Sequence, residues 1–312
     1  MTLEPATGVT AIAPATVGNV AVGFDVLGHA LAGPYDRVTL RRVEKPGVRI
    51  VRIGGIATDL PRDPALNTAG RSVLELCSAC GTDLGFEIEI DKGIPLGSGM
   101  GGSGASAVAA VVAANALLTH RLELSELLEF ALAGESAATG ARVLDNVAPG
   151  LFGGLVLALP GDPVLIERVP VPQGLRCVLA HPELQIATRA ARDMLAKQCP
   201  LPAAVTQAAH LAGLIAGCYA GNLELIARAL EDVLIEPQRA QLVPGFADVK
   251  RAACDAGALG CSLSGSGPSL FAWSRSADAS RVARAMAEAF AEHGIAAQCF
   301  VSRIDAPGAH CV

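Results

Sequence analysis

The sequence predicts an α/β (α+β) protein of two domains, and three observations carry that reading. Strand-like and helix-like patterns alternate over residues 1–160, residues 160–172 hold four prolines, and the chain ends in a strand-turn-strand-helix-strand order. With 312 residues, 51% of them hydrophobic, the chain has apolar surface for one large core or two smaller ones. Two domains are expected, divided at the prolines into residues 1–165 and 166–312.

In the first half, residues 8–13 and 37–43 read as strands. Residues 48–53 do so less cleanly, because Val48, Ile50 and Val51 interleave with arginines. Asn67 or Thr68 caps a helix running to Cys80, with Val73, Leu74 and Leu76 on its apolar side and Gly81 as its stop. Leu84 to Asp91 is the clearest strand: Leu84, Phe86, Ile88 and Ile90 point one way, and Glu87, Glu89 and Asp91 the other. A glycine-rich loop over 93–104 leads into an uncharged helix from Ala105 to Leu118, apolar around most of its circumference and therefore expected to be buried. A further helix starts at Ser125, and residues 153–159 close the domain as a strand.

In the second half, Leu175 to Ala180 is a strand followed by several helices. Residues 258–264 and 269–273 read as strands joined by Gly265-Ser266-Gly267-Pro268, ahead of a helix over 278–293 and a strand over 296–304.

Composition excludes several functions. The net charge is -6, and no run of Lys or Arg could neutralise a row of phosphates, so a nucleic-acid partner is not expected. Residues Met1 to Thr10 carry Glu4 and Pro5 and no basic segment followed by an apolar one, so no signal peptide is expected. The stretch read as the longest uncharged apolar one, Ala105 to Leu118, is shorter than the roughly 20 residues a membrane span needs. No membrane partner is expected, and the location expected is cytoplasmic. Nine cysteines, an odd number spread from Cys77 to Cys311, do not form a disulfide framework; Cys77 and Cys80 make a C-x-x-C with no second pair nearby and read as packing thiols.

The chemistry concentrates in four places. The loop Pro95, Leu96, Gly97, Ser98, Gly99, Met100, Gly101, Gly102, Ser103, Gly104, Ala105 runs from a strand into an apolar helix. Its glycines let backbone N–H groups converge at a helix N-terminus, which attracts phosphate. The spacing is that of neither the P-loop nor the Rossmann fingerprint. Glu135 lies on the next helix among small residues, and a Glu with a Ser hydroxyl would suffice for a nucleotide-bound Mg²⁺. Asn19 and Asp25 sit in an irregular Gly-rich stretch after a strand, and Asp145-Asn146-Val147-Ala148-Pro149 resembles it; Asx residues in such stretches also serve turns. Finally, Arg192 stands one turn beyond Thr188, and Arg239 follows Glu236-Pro237-Gln238 in what reads as a loop; either arginine could equally be surface.

Together these pieces resemble the GHMP family of small-molecule kinases over nearly the whole chain, and within it the homoserine-phosphorylating branch. The signatures are Ala13-Pro-Ala-Thr-Val-Gly-Asn19 to Phe24-Asp25, the loop Pro95 to Ala105, and Ser264-Gly-Ser-Gly-Pro268. The resemblance implies an N-terminal domain of the ribosomal-protein S5 domain 2 type, a ferredoxin-like C-terminal domain, ATP at the seam, and a homodimer. It implies that residues 95–105 cradle the triphosphate with Asn67 lining the nucleotide pocket, and that Ser103 and Glu135 hold Mg²⁺. L-homoserine would lie on Asn19, Asp25, Thr188, Arg192 and Arg239, with Asn146, Arg192 and Glu135 as catalytic residues.

Two positions depart from the family pattern. Gly102 occupies the place of one loop hydroxyl, and Val143 stands where a His near the substrate is common. Some family members carry a basic residue in the first motif; here Thr16 and Val17 stand there, and none of the four lysines (Lys45, Lys92, Lys197, Lys250) is close in sequence. Two other readings stay open at this point. One is a family kinase for another small alcohol, with Asp145 as proton acceptor; the other is a non-catalytic nucleotide sensor on the same fold.

Overall fold

In the computed structural model, residues 8–81, 84–140 and 142–312 are described; residues 1–7, part of the stretch read above for a leader, lie outside them. The first half comprises β1 (Val9–Gly18), β2 (Leu27–Val43), β3 (Gly47–Gly55), α1 (Thr68–Ala79), β4 (Gly85–Lys92), α2 (Gly102–Ala116), α3 (Leu124–Thr139), α4 (Leu144–Phe152), β5 (Leu155–Leu159) and β6 (Leu165–Val169). In its sheet β1, β2, β4 and β3 are neighbours in that order, and β5 joins the N-terminal end of β2 and carries β6. Among the described residues only β3 and β4 pair in parallel.

The alternation in β4 works as read: Phe86, Ile88 and Ile90 are buried. On the wet face, Glu89 accepts from Arg52 at 3.0 Å and Glu87 faces Arg49 at 3.7 Å. The arginines that blurred the pattern of β3 are thus cross-strand partners of β4.

Several elements differ from the sequence reading, three of them instructively. Strand β2 begins at Leu27 rather than Arg37, because Leu27 to Leu31 are buried throughout and show no period of two. β6 lies inside the segment read as a connection; its prolines, Pro163 and Pro170, flank the strand and spare its ladder. Helix α3 is capped one residue before Leu124, by a reciprocal Glu123–Glu126 capping box.

The second half comprises β7 (Leu175–Pro182), α5 (Thr188–Asp193), α6 (Leu201–Ala220), α7 (Leu223–Ala229), α8 (Glu236–Arg239), α9 (Phe246–Asp255), β8 (Ala258–Leu263), β9 (Leu270–Arg275), α10 (Ala279–Glu292), β10 (Ala297–Ser302) and β11 (His310–Cys311). An antiparallel sheet runs β10-β7-β9-β8, while β11 leaves it and pairs with β1, Cys311 opposite Ala11. Helix α6 spans 20 residues without Asp, Glu, Lys or Arg, so it outruns the Ala105–Leu118 stretch; by length and composition alone it could cross a membrane.

The alternation of β7 and β9 defines the seam. Val178, Ala180, Leu270 and Ala272 face α9 and α10 and pack with Val249, Met286 and Phe290. Cys177, Leu179, Phe271 and Trp273 point the other way and join the core of the first half. This sheet is covered on both faces, one by its own helices and one by the other domain.

His29 of β2 crosses that seam. Fully buried, its Nε2 accepts from Trp273 Nε1 at 3.3 Å, so the proton sits on Nδ1, which donates to the Ala30 carbonyl at 2.9 Å. Burial pulls its pKa from 6.5 to about 4. A His whose pKa is lowered on folding is held neutral in the fold but takes up a proton when unfolded. Stability on its account is therefore full above pH 6.5 and falls as pH drops toward 4. Relative to a His29→Leu variant, wild type should lose about 3 kcal/mol of unfolding free energy between pH 7.5 and 4, all other titrating groups cancelling in the difference. Urea denaturation of both proteins across that range checks this; a pH-independent difference would refute it.

Candidate active site

The glycine-rich loop is anchored from behind. Asp36, fully buried on β2, accepts from the N–H groups of Gly93 at 3.0 Å and Ile94 at 3.1 Å and from the Ser106 hydroxyl at 2.6 Å. The Lys92 ammonium pairs with Asp36 and donates to the Gly102 carbonyl at 2.7 Å and to Ser106 at 2.9 Å. The pair is almost wholly buried and amply hydrogen-bonded, the condition under which a buried ion pair is tolerated. It ties down both ends of the loop. Sequence reasoning missed this, though Lys92, one of four lysines, immediately precedes the loop.

The front of the loop is set by its carbonyls. Those of Gly97, Ser98, Gly99 and Met100 accept from Ile186 N–H (2.9 Å), Ser269 Oγ (2.6 Å), Ser264 Oγ (2.8 Å) and Thr16 N–H (3.0 Å) respectively. Four successive acceptors are drawn toward neighbouring segments, while the amides of Gly101, Gly102 and Ser103 have no hydrogen-bond partner among the described residues. These amides open α2, where the helix dipole also favours an anion. Gly101 has φ 67°, and a Cβ there would collide with Thr16 and Asn146.

Opposite lies the turn between β1 and β2. Asn19, Val20, Ala21 and Asp25 all have positive φ, at 68°, 41°, 59° and 61°. For β-branched Val20 this is costly; each such residue costs on the order of 1–3 kcal/mol and persists only where its surroundings enforce it. Asp145 accepts from the Asn19 N–H at 2.9 Å, the Asn19 side chain donates to the Gly265 carbonyl at 2.8 Å, and its oxygen accepts from the Asp25 N–H at 3.1 Å. Asp145 and Asn146 come from α4, so the stretch left between turn and site is helical. α4 packs close to β2 because residue 28 is glycine; a Cβ there would strike the Asp145 carbonyl.

An open cleft of about 700 Å³ joins the two sides. Its lining includes Asn19, Asp25, residues 95–103, Glu135, Asn146, Thr188, Arg192 and Arg239, all expected from the sequence, with Val143, Asp145, Gly265 and Ser266. Three expected nucleotide residues do not line it. Asn67 is spent as the cap of α1, its oxygen accepting from Ala69 and Gly70 and its amide donating to the Pro61 carbonyl at 2.9 Å. Gly104 and Ala105 are turned into the first turn of α2 and are buried. Arg239 ends the short turn α8 rather than lying in a loop.

The charges are arranged unequally. Arg192 grips Asp25 with two hydrogen bonds, at 2.8 and 2.7 Å, which raises the arginine's pKa further. Arg239 is 2% exposed and forms no ion pair among the described residues. It donates to the Ala191 carbonyl at 3.1 Å and the Gly265 carbonyl at 3.4 Å, and burial, with Arg192 nearby, lowers its pKa. Both guanidiniums approach the Phe24 ring, at 5.5 and 5.3 Å, a cation–π contact that sequence reasoning did not assign. Glu135, 3% exposed, accepts from the Ser103 hydroxyl at 2.8 Å, and burial lifts its pKa to about 7. Asp145 is lifted to about 7 by burial and then by Asp25.

A cleft with amides converging at one end and arginines at the other suits transfer of an anionic group to a small polar acceptor, and comparison with known proteins agrees. The sequence model for the GHMP kinases N terminal domain matches residues 67–154, and that for the GHMP kinases C terminal domain matches residues 214–292. The homoserine kinase of Xylella fastidiosa (strain 9a5c) is 48% identical over 303 residues, 96% of this chain and 92% of that protein. That of Chlorobium phaeobacteroides (strain BS1) is 45% identical over 90% of this chain and 92% of its own. The crystal structure of homoserine kinase from Cytophaga hutchinsonii superposes with a TM-score of 0.95 at 44% identity, covering 100% of this chain and 99% of that one. On this evidence the chain belongs to the GHMP kinase family, among its homoserine kinases.

Proposed function

We propose that this protein transfers the γ-phosphoryl group of ATP to the side-chain hydroxyl of L-homoserine, giving O-phospho-L-homoserine in threonine biosynthesis. The observation that carries this reading is that a single cleft holds both the amide-rich start of α2 and the Asp25–Arg192–Arg239 cluster. The amides of 101–103 receive phosphate oxygens, and their fixed dipoles oppose the negative charge that spreads over the transferred group. At the other end, Asp25 takes the acceptor's ammonium, and Arg192 with Arg239 takes its carboxylate through the planar fork each arginine presents. A zwitterion can replace the internal Asp25–Arg192 pair charge for charge, so neither group is left bare.

Ser103 and Glu135 place hydroxyl and carboxylate oxygens 2.8 Å apart beside the loop. Hard oxygen donors of this kind fit Mg²⁺, and a carboxylate that burial drives toward its neutral form is one a cation would stabilise as the anion. When bound, Mg²⁺ supplies charge neutralisation at the phosphates. The Asn146 oxygen accepts from Thr16 at 2.9 Å, which fixes the amide that orients the acceptor hydroxyl. Asp145, at about 7, is available for the departing proton. That favours a second reading, a GHMP kinase for another small alcohol with Asp145 as base. Coupled ADP release across homoserine, threonine, serine, mevalonate and shikimate separates the two. Homoserine should exceed each of the others by at least about tenfold in kcat/KM, and a higher value for any other alcohol would move the assignment to it.

A further inference from the structure

Helix α6 lies largely outside the core, and between Leu201 and Gly213 its one buried residue is Gln207. A polar side chain that is buried while its helical neighbours are not must find partners. Gln207 finds three. Its amide nitrogen donates to the Val22 carbonyl at 3.3 Å and to Asp232 Oδ1 at 3.0 Å, and its oxygen accepts from the Val233 N–H at 3.0 Å. Both N–H donors and one acceptor site of the amide are engaged.

The partners belong to two of the three segments that carry the acceptor-side charges, those of Asp25 and Arg239. Val22 follows the run Asn19 to Ala21 of left-handed backbone and precedes Phe24 and Asp25. Asp232, 6% exposed, accepts from the N–H groups of Leu234 at 2.9 Å, Ile235 at 3.0 Å and Glu236 at 2.8 Å, and so shapes the start of α8. The Ile235 carbonyl in turn accepts from the Arg239 N–H at 3.1 Å. Neither Gln207 nor Asp232 lines the cleft.

A strained turn holds its conformation only while its surroundings do. Two of the restraints on this one, Asp145 and the Gly265 carbonyl, belong to the cleft itself; Gln207 restrains it from behind. We infer that Gln207 and Asp232 are positioning residues for the acceptor half of the site: they hold the Asp25 turn and the Arg239 turn at a fixed separation without touching the substrate. The nucleotide half hangs on a different set of bonds, those of Asp36, Lys92, Ser264 and Ser269. The two halves are thus separately tunable.

This rests on homoserine being the acceptor, and the test keeps the two ideas apart. Steady-state kinetics of wild type, Gln207→Leu and Asp232→Asn are measured with each substrate varied in turn. Gln207→Leu removes all three bonds and should raise the homoserine KM at least about tenfold while the ATP KM stays within about threefold, since misplaced acceptor groups weaken acceptor binding alone. Asp232→Asn keeps one oxygen for Gln207, Leu234 and Ile235 but sets an N–H against the Glu236 N–H. It should raise the homoserine KM roughly three- to thirtyfold, and it stands as the test should Gln207→Leu fail to fold. An unchanged homoserine KM in the folded variants, or an equal rise in both KM values, overturns the inference. Absence of homoserine turnover in wild type would instead remove the activity on which it is built.

Discussion

Glu135→Gln lowers kcat by at least about a hundredfold at saturating ATP, because charge neutralisation at the transferring group is worth several kcal/mol. Gln preserves the shape and can still accept from the Ser103 hydroxyl, which isolates the carboxylate charge from the packing around it. The structure adds a pH signature. Burial raises the Glu135 pKa to about 7, so below that pH a proton competes with the cation for the same oxygens. In wild type the Mg²⁺ concentration giving half-maximal rate should therefore climb by up to about tenfold per pH unit as pH falls below 7. Isothermal titration of the nucleotide-bound protein in two buffers of different ionisation enthalpy should show proton release on Mg²⁺ binding near pH 7, and the variant should lose it. Near-wild-type turnover of Glu135→Gln, with proton release intact, would show that this carboxylate does not hold the metal.

Arg239→Leu is expected to reduce kcat/KM for homoserine by about thirtyfold to several thousandfold, the equivalent of roughly 2 to 5 kcal/mol for a buried charge pair that loses one partner. The structure sharpens why this arginine is the one to change. Arg192 already has Asp25 as a partner, whereas Arg239 is buried with carbonyls and a ring but no carboxylate paired to it among the described residues. An unpaired buried cation facing a cleft is costly to keep unless an anion arrives. For 3-aminopropan-1-ol, which keeps the ammonium and hydroxyl but lacks the carboxylate, the same substitution should change little. The ratio of the two losses is the quantity to read, because unfolding or a damaged nucleotide site would lower both together. The Kd for ATP should stay within a few-fold of wild type. Equal losses on both acceptors with ATP binding intact would place Arg239 in the phosphoryl site or the fold, and the carboxylate clamp would be wrong.

The parts of this site legible in the sequence share one property: each is announced by a local cluster. Five glycines within Gly97 to Gly104, the Asx residues around Asn19 and Asp25, and the lone Glu135 among alanines all stand out against their neighbours. Their supports do not. Asp36 sits in an ordinary strand pattern 57 residues before the Gly93 amide it accepts from, and Gln207 is a single amide in an uncharged helix 185 residues from Val22. A hydrogen bond spanning such a separation leaves no trace in a window of ten or twenty residues. Asn67 shows the converse. The sequence offers Asn67 or Thr68 as the cap of α1, and the Asn67 side chain, which serves that cap and the Pro61 carbonyl, is not among those lining the cleft.

By itself, then, the sequence determined the element type where one face is wet, as in β4, and the glycine-rich character of the loop ahead of α2, because periodicity and glycine content are properties of neighbouring residues. It also carried the family likeness, since the motifs keep their order along the chain. Only the tertiary structure decided how β2 extends through a covered region, Leu27 to Leu31, where the one polar residue, His29, is itself buried and marks no wet face. The same holds for β7 and β9, whose alternate side chains serve two different cores. It alone also decided which of two arginines is already partnered and which carboxylates burial lifts toward neutrality. Those are sums over groups gathered from several elements, and desolvation depends on what surrounds a residue in space rather than along the chain.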